Sequence, residues 1–160
     1  AWKGSYLDHV LETMNLGVLF YSPLRETRRE MDFSLSDTLL VLYLHDIEKP
    51  FKQQYKSLGL EDENGKKDNQ KIKEFKFELI KKYEIKLTGA QIIGIKYTEG
   101  ENEDYHPFNR VQNPLAAFAN MCDNWSARGF YDFPTEKDSW IGAKRRTPEE
   151  WVKEIEILKL

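Results

Sequence analysis

Leu39-Leu40-Val41-Leu42-Tyr43-Leu44-His45-Asp46-Ile47-Glu48-Lys49-Pro50 is the stretch on which the fold turns. An apolar run stops at an adjacent imidazole and carboxylate, and a lysine follows three residues after the aspartate. Led by Ser36-Asp37-Thr38, the run predicts a buried helix within residues 33–51. Pro50 limits it, because the residue before a proline is pushed out of helical angles. Burying His45 beside Asp46 is costly unless something pairs them. A divalent metal does so well, since neutral imidazole nitrogen and carboxylate oxygen are both good ligands. The plainer alternative is that His45 caps carbonyls at a helix C-terminus while Asp46 faces water.

On the N-terminal side, residues 5–21 carry Tyr6, Val10, Leu11, Met14, Val18 and Leu19 at helical spacing, with Ser5 as a plausible cap. Ser22-Pro23 is expected to end this helix. His9 borders its apolar face, either as a hydrogen-bonded boundary residue or as a ligand. Residues 24–33 form a charged connection containing Arg25, Arg28 and Arg29, either a solvated loop or a cationic rim for phosphate.

On the C-terminal side, residues 53–69 are expected to be an exposed loop. Residues 71–83 predict a basic amphipathic helix with Ile72, Phe75, Leu79 and Tyr83 on one face. Its lysines are either a solvated face or a nucleic-acid contact surface. Thr88 caps a short helix over residues 89–97, and a loop with Glu99, Glu101, Glu103, Asp104 and His106 follows. That loop is an acidic surface turn or a segment that positions metal or water. Asn113-Pro114 is a strong helix start, and the nearly apolar helix it opens ends by Gly129. Asp123 stands inside it and needs a partner that Arg128, five residues on, is poorly placed to supply. Residues 130–143 are aromatic and irregular, so they fill a core or stack on a base. Thr147-Pro148-Glu149-Glu150 opens a last helix to about Leu158, with Trp151, Ile155 and Leu158 inward. The sum is an all-α domain of five to six helices, without strand alternation.

The length of 160 residues suits one domain with a real core. A net charge of −3 argues against an extended duplex-binding surface but leaves room for a nucleotide or a short single-stranded end in one pocket. No apolar run approaches the roughly 18 residues that span a bilayer. No signal-peptide pattern opens the sequence, and the single cysteine, Cys122, suits a reducing cytoplasm. Its apolar setting predicts a buried, inert thiol.

His9, then His45-Asp46, then Asp123 gives the order one His, an adjacent His-Asp, and a distant Asp. This resembles the HD-domain superfamily of metal-dependent phosphohydrolases. Residues 3–10 (KGSYLDHV) resemble its opening helix, residues 44–49 (LHDIEK) its HDxxK segment, and residues 114–128 the helix of its closing aspartate. Glu48 stands where glycine is common in that superfamily. The likeness is closest to the HD domains of some bacterial 3′-5′ exoribonucleases and spans residues 3–130, leaving 131–160 as a C-terminal extension of a single domain, 1–160.

The resemblance implies a compact HD-type helical bundle that holds a divalent transition metal ion through His9, His45, Asp46 and Asp123. A mixed N/O set suits Mn²⁺, Fe²⁺, Co²⁺, Ni²⁺ or Zn²⁺ better than Mg²⁺. Two-metal members carry a further histidine pair where this chain reads Lys96-Tyr97-Thr98-Glu99-Gly100-Glu101, so one ion is expected. Lys49 is the expected phosphate-binding residue, and Glu99, Glu101 and His106 are the acid–base candidates. The implied substrate is a nucleotide or a short single-stranded nucleic-acid end. A non-catalytic nucleotide-binding or regulatory domain is the alternative, and a purely structural helical domain a third.

Overall fold

The computed structural model describes residues 6–27 and 31–129. Among these are five α-helices: α1 (Tyr6–Arg25), α2 (Leu35–Leu44), α3 (Asn69–Lys82), α4 (Gly89–Tyr97) and α5 (Pro114–Arg128). Short 3-10 helices cover Lys49–Gln54 and Asn102–Asp104. The all-α expectation therefore holds, with five helices. Ser5, the arginines at 28 and 29, the aromatic segment from Phe130 and the expected final helix lie outside the described residues.

The caps explain the boundaries. Ser34, two residues before Ser36, caps α2 in a reciprocal box with Asp37. The Ser34 hydrogen bonds hold the Asp37 carboxyl below its usual range. The other Asp37 oxygen accepts from Gln91 Nε2 at 2.7 Å, fastening α4 to the start of α2. Thr88 and Asn113-Pro114 cap α4 and α5 as expected.

Three expectations are corrected, on the end of α1, on residues 53–69 and on the exposed faces of α3 and α5. Helix α1 runs through Pro23 to Arg25. A proline this late removes one amide from the ladder, yet its carbonyl still accepts from Glu26 N at 3.1 Å. Helix α2 lies within the expected 33–51 and ends with its apolar run at Leu44, with His45 as its C-cap and turns leading to Lys49. The stretch from 53 to 69 is not uniformly exposed: Tyr55 and Leu60 are buried, and Glu61 and Lys67 form an antiparallel bridge. Tyr83 faces solvent rather than the core of α3, and Met121 and Trp125 of α5 are partly exposed.

The core is α2, held between α1 on one side and α4 and α5 on the other. Val41, Leu42 and Leu44 are fully buried, each contributing about 1.5–3 kcal/mol from burial. Glycines permit the closest approaches. A Cβ on Gly17 would stand 2.9 Å from Leu42 Cδ1, and one on Gly94 would stand 3.0 Å from Val41 Cγ2. At the opposite end from His45, Tyr21, Phe33 and Phe118 pack edge-on or tilted, and the Tyr21 hydroxyl donates to the Phe33 carbonyl at 2.9 Å.

Candidate metal centre

Three mutually packed helices bring the expected ligands together. His9 lies in the second turn of α1, His45 caps α2, Asp46 is the first turn residue after it, and Asp123 lies mid-way along α5. His9 Nε2 is 3.0 Å from Asp123 Oδ1 and 3.7 Å from Asp46 Oδ2. His45 Nε2 is 3.5 Å from the same Asp123 oxygen and 3.6 Å from the same Asp46 oxygen. Ligand atoms of His9, His45 and Asp46 all fall within 4.8 Å of one another, a spacing that one cation can bridge.

The far nitrogen of each ring fixes which nitrogen points inward. His45 Nδ1 is 2.6 Å from the Leu42 carbonyl, which can only accept, so Nδ1 carries the proton. On α1, His9 Nδ1 lies 2.9 Å from Ser126 Oγ, and Ser126 donates to Glu12 Oε2 at 2.7 Å. With its proton given to Glu12, the Ser126 oxygen accepts from His9 Nδ1. Both neutral rings therefore turn an Nε2 lone pair toward two carboxylates. Lone pairs facing anions repel, so the centre requires a cation, either a proton on the rings or a metal ion.

The electrostatics agree. Burial alone would lower the His45 pKa, but the Asp123 carboxylate beside its Nε2 and the charge of Asp46 raise it. Burial works to raise that of Asp123, and the two histidines overcome this and hold it well below the carboxylate range. His45 Nε2 is nonetheless a buried polar atom without a hydrogen-bond partner among the described residues. An orphaned imidazole nitrogen facing carboxylates, with the ring's other nitrogen anchored, fits a metal site.

Lys49 reaches the centre from the turn of the 3-10 helix. Its Nζ is 3.4 Å from Asp46 Oδ1, 3.3 Å from Glu99 Oε1 and 4.0 Å from Glu48 Oε1. Burial opposes its charge, but Asp46, Glu99 and Glu48 outweigh burial and raise its pKa. Lys49 is therefore a charged group already engaged by carboxylates. The other two acid–base candidates stand apart from this cluster. Glu101 is held by Arg110, with Nε at 2.9 Å, and His106 lies in an exposed loop, accepting from Phe108 N at 3.3 Å.

Five further residues bear on the centre and were not among the expected site residues: Glu12, Ser126, Glu48, Lys76 and Tyr6. Glu12 and Ser126 are buried behind His9; their spacing (Glu12 three after His9, Ser126 three after Asp123) was the available signal. Glu48 is 2% exposed and faces Lys76 of α3, itself 6% exposed, at 3.6 Å. Burial raises the Glu48 pKa, against the pull of Lys76. Tyr6, half-buried at the start of α1, is pushed up to about 12 by burial and by the Asp46 charge. Cys122, fully buried on α5, is pushed up to about 12 by burial and then by Asp123, so its thiol is inert as expected.

Beyond Lys49 opens a cleft of about 660 Å³ between the 3-10 helix and α3, lined by Lys52, Tyr55, Lys67, Lys73 and Lys76 among others. Among the described residues, no helix is long and apolar enough to cross a membrane. No family model matches the chain, and no curated protein or solved structure is significantly similar to it.

Proposed function

We propose that the chain is a single-metal phosphohydrolase of the HD type, acting on nucleotides or short single-stranded nucleic-acid ends. The observation that carries this reading is the convergence of two anchored Nε2 atoms on two carboxylates. His9, His45, Asp46 and Asp123 would hold the ion, and the mixed N/O set favours Mn²⁺, Fe²⁺, Co²⁺, Ni²⁺ or Zn²⁺. Such an ion, when bound, acidifies a water and polarises a phosphoryl oxygen.

The chain's own residues supply the rest. Leu42, Ser126 and Glu12 keep both rings oriented, so the ligand set is preorganised. Lys49, adjacent to Asp46, neutralises the phosphoryl oxygens as charge builds on them. Glu99 is half-exposed, so a phosphate can take its place on Lys49 at little cost. In hydrolysis the oxygen of water bonds to phosphorus, the phosphoester bond breaks, and the leaving oxygen takes a proton. Glu99 is the acid–base candidate best supported, because it alone of the three touches Lys49.

Elemental analysis of the purified protein, followed by a nucleotide panel with Mn²⁺, Co²⁺ or Ni²⁺, tests the proposal. The expected result is about one transition metal ion per chain, metal-dependent phosphate or nucleoside release, and loss of both in His45→Ala. Stoichiometric metal retained by His45→Ala would refute the ligand set. The second reading, a nucleotide-binding domain without turnover, draws support from Glu101 and His106 being committed elsewhere. Nucleotide-dependent thermal stabilisation without product would select it.

A further inference from the structure

The cleft beside Lys49 carries more positive charge than the carboxylates around it balance. Lys49 is paired with Asp46, Glu48 and Glu99, Lys76 with Glu48, and Lys73 loosely with Glu103 at 3.8 Å. Lys52 and Lys67 enter no ion pair among the described residues, although both line the cleft. Lys49 and Lys52 sit one turn apart on the 3-10 helix, so their stems leave the same face. Lys67 lies near enough to both that, after desolvation, their charges make its own ammonium less favourable. Two ammonium groups without a carboxylate partner, in a cleft that Glu48, Glu99 and Glu103 also line, stand next to Lys49 and call for a multivalent anion.

Size and lining narrow the class. A volume of about 660 Å³ lies within the small-molecule range. Grooves that track single strands are longer and offer aromatic platforms to successive bases. Here the aromatic lining is Tyr55, which is 4% exposed and has the Lys67 ammonium over its ring at 5.9 Å. The cleft thus offers charge for phosphates and no free face for a base.

We propose that this cleft binds a chain of linked phosphates, with Lys52 and Lys67 holding the phosphates beyond the one that lies at Lys49 and Asp46. Inorganic tripolyphosphate and the tail of a nucleoside triphosphate share this chemistry. As a statement about substrate it rests on the phosphohydrolase reading; as a statement about binding it does not.

Calorimetric titration of the full chain, freed of metal by chelator, separates the two. The titrants are tripolyphosphate, ATP, AMP, orthophosphate and tetrathymidylate at about 0.15 M ionic strength, where exposed charges are screened but close ones persist. The expected result is that tripolyphosphate and ATP bind alike, at least ~10-fold tighter than orthophosphate or AMP. ATP binding without tripolyphosphate binding would locate recognition in the base and overturn the proposal. Lys52→Glu and Lys67→Glu, both on exposed side chains, are each expected to weaken tripolyphosphate about tenfold, with melting temperature and metal content unchanged. Equal affinity for orthophosphate and tripolyphosphate, indifference to both reversals, or tighter binding of tetrathymidylate would overturn it. Intact tripolyphosphate binding in a chain that takes up no metal would instead refute the phosphohydrolase reading and leave this one standing.

Discussion

Replacing Lys76 with methionine isolates the buried charge pair that ties α3 to the candidate centre. The substitution keeps the aliphatic stem but removes the ammonium 3.6 Å from Glu48 Oε2. At an effective dielectric of ~20 that separation corresponds to a gross attraction of about 4–5 kcal/mol. The Glu48 oxygen already lacks a hydrogen bond, so without Lys76 it stays buried with only Lys49, at 4.0 Å from the other oxygen, to compensate. Breaking a buried pair costs ~3–5 kcal/mol, and Lys49 places this one near the lower end, about 3 kcal/mol. For a chain of this length that is a fall in melting temperature of roughly 6–12 °C. Lys76→Met/Glu48→Leu removes both charges and is expected to lie within ~1 kcal/mol of the parent, a coupling of at least ~2 kcal/mol in a double-mutant cycle.

Acid supplies a second check on the same pair. Burial raises the Glu48 pKa and Lys76 opposes that rise, so in Lys76→Met the carboxyl titrates higher still. A buried acid of raised pKa is penalised while ionised, so the deficit of Lys76→Met is full above that pKa and shrinks as pH falls through it. Thermal melts and urea titrations at several pH values read both effects. Single-variant costs under ~1 kcal/mol that simply add in the double variant would refute the reasoning.

Other outcomes follow from the centre. Ser126→Ala and Glu12→Leu release the His9 ring and are expected to weaken metal affinity about 10–100-fold, measured by competition with a chelating dye. The metal-free protein depends on His45 and Asp123 in opposite senses. The raised His45 pKa gives stability that is complete below the unfolded value of about 6.5 and is lost as pH rises through the folded one. The lowered Asp123 pKa gives stability present above about 3.9 and lost as pH falls through the folded one, so melting temperature should peak between. Metal competes with the proton on Nε2, so its stabilising effect should grow from pH 6 to 8; a flat dependence would count against these ligands. Cys122 should resist a thiol reagent until the chain unfolds, with modification tracking global unfolding in a denaturant series.

How much of this is legible in the sequence depends on the range of the interaction that decides it. Helices α4 and α5 start where Thr88 and Asn113-Pro114 say, because capping is settled within four residues. Helix α2 ends where its apolar run ends, at Leu44, and His45 as C-cap turns its Nδ1 onto the Leu42 carbonyl. His9, His45, Asp46 and Asp123 could be singled out because each is polar in an apolar setting. Lys76 could not, because a buried lysine in a lysine-rich amphipathic helix looks like its solvated neighbours until Glu48, far away in sequence, is placed against it. Glu12 was hidden for a similar reason: on an amphipathic helix an acid reads as surface, and only the approach of α5 buries it.

Gly17 and Gly94 clasp α2 from two sides, and neither carries a functional group. A methyl on Gly17 would meet the tip of Leu42, and one on Gly94 would meet Val41, three and four residues before the histidine at the helix end. Because interiors are packed as densely as organic crystals, such a push travels along the helix rather than being absorbed. Gly17→Ala and Gly94→Ala are therefore expected to shift Leu42 and Val41, next to the histidine end of α2, while leaving every ligand chemically intact. The consequence concerns drift: these two positions bear on the centre although neither could serve as a ligand. A descendant that kept all four ligands but lost either glycine would carry the signature of the centre without its geometry.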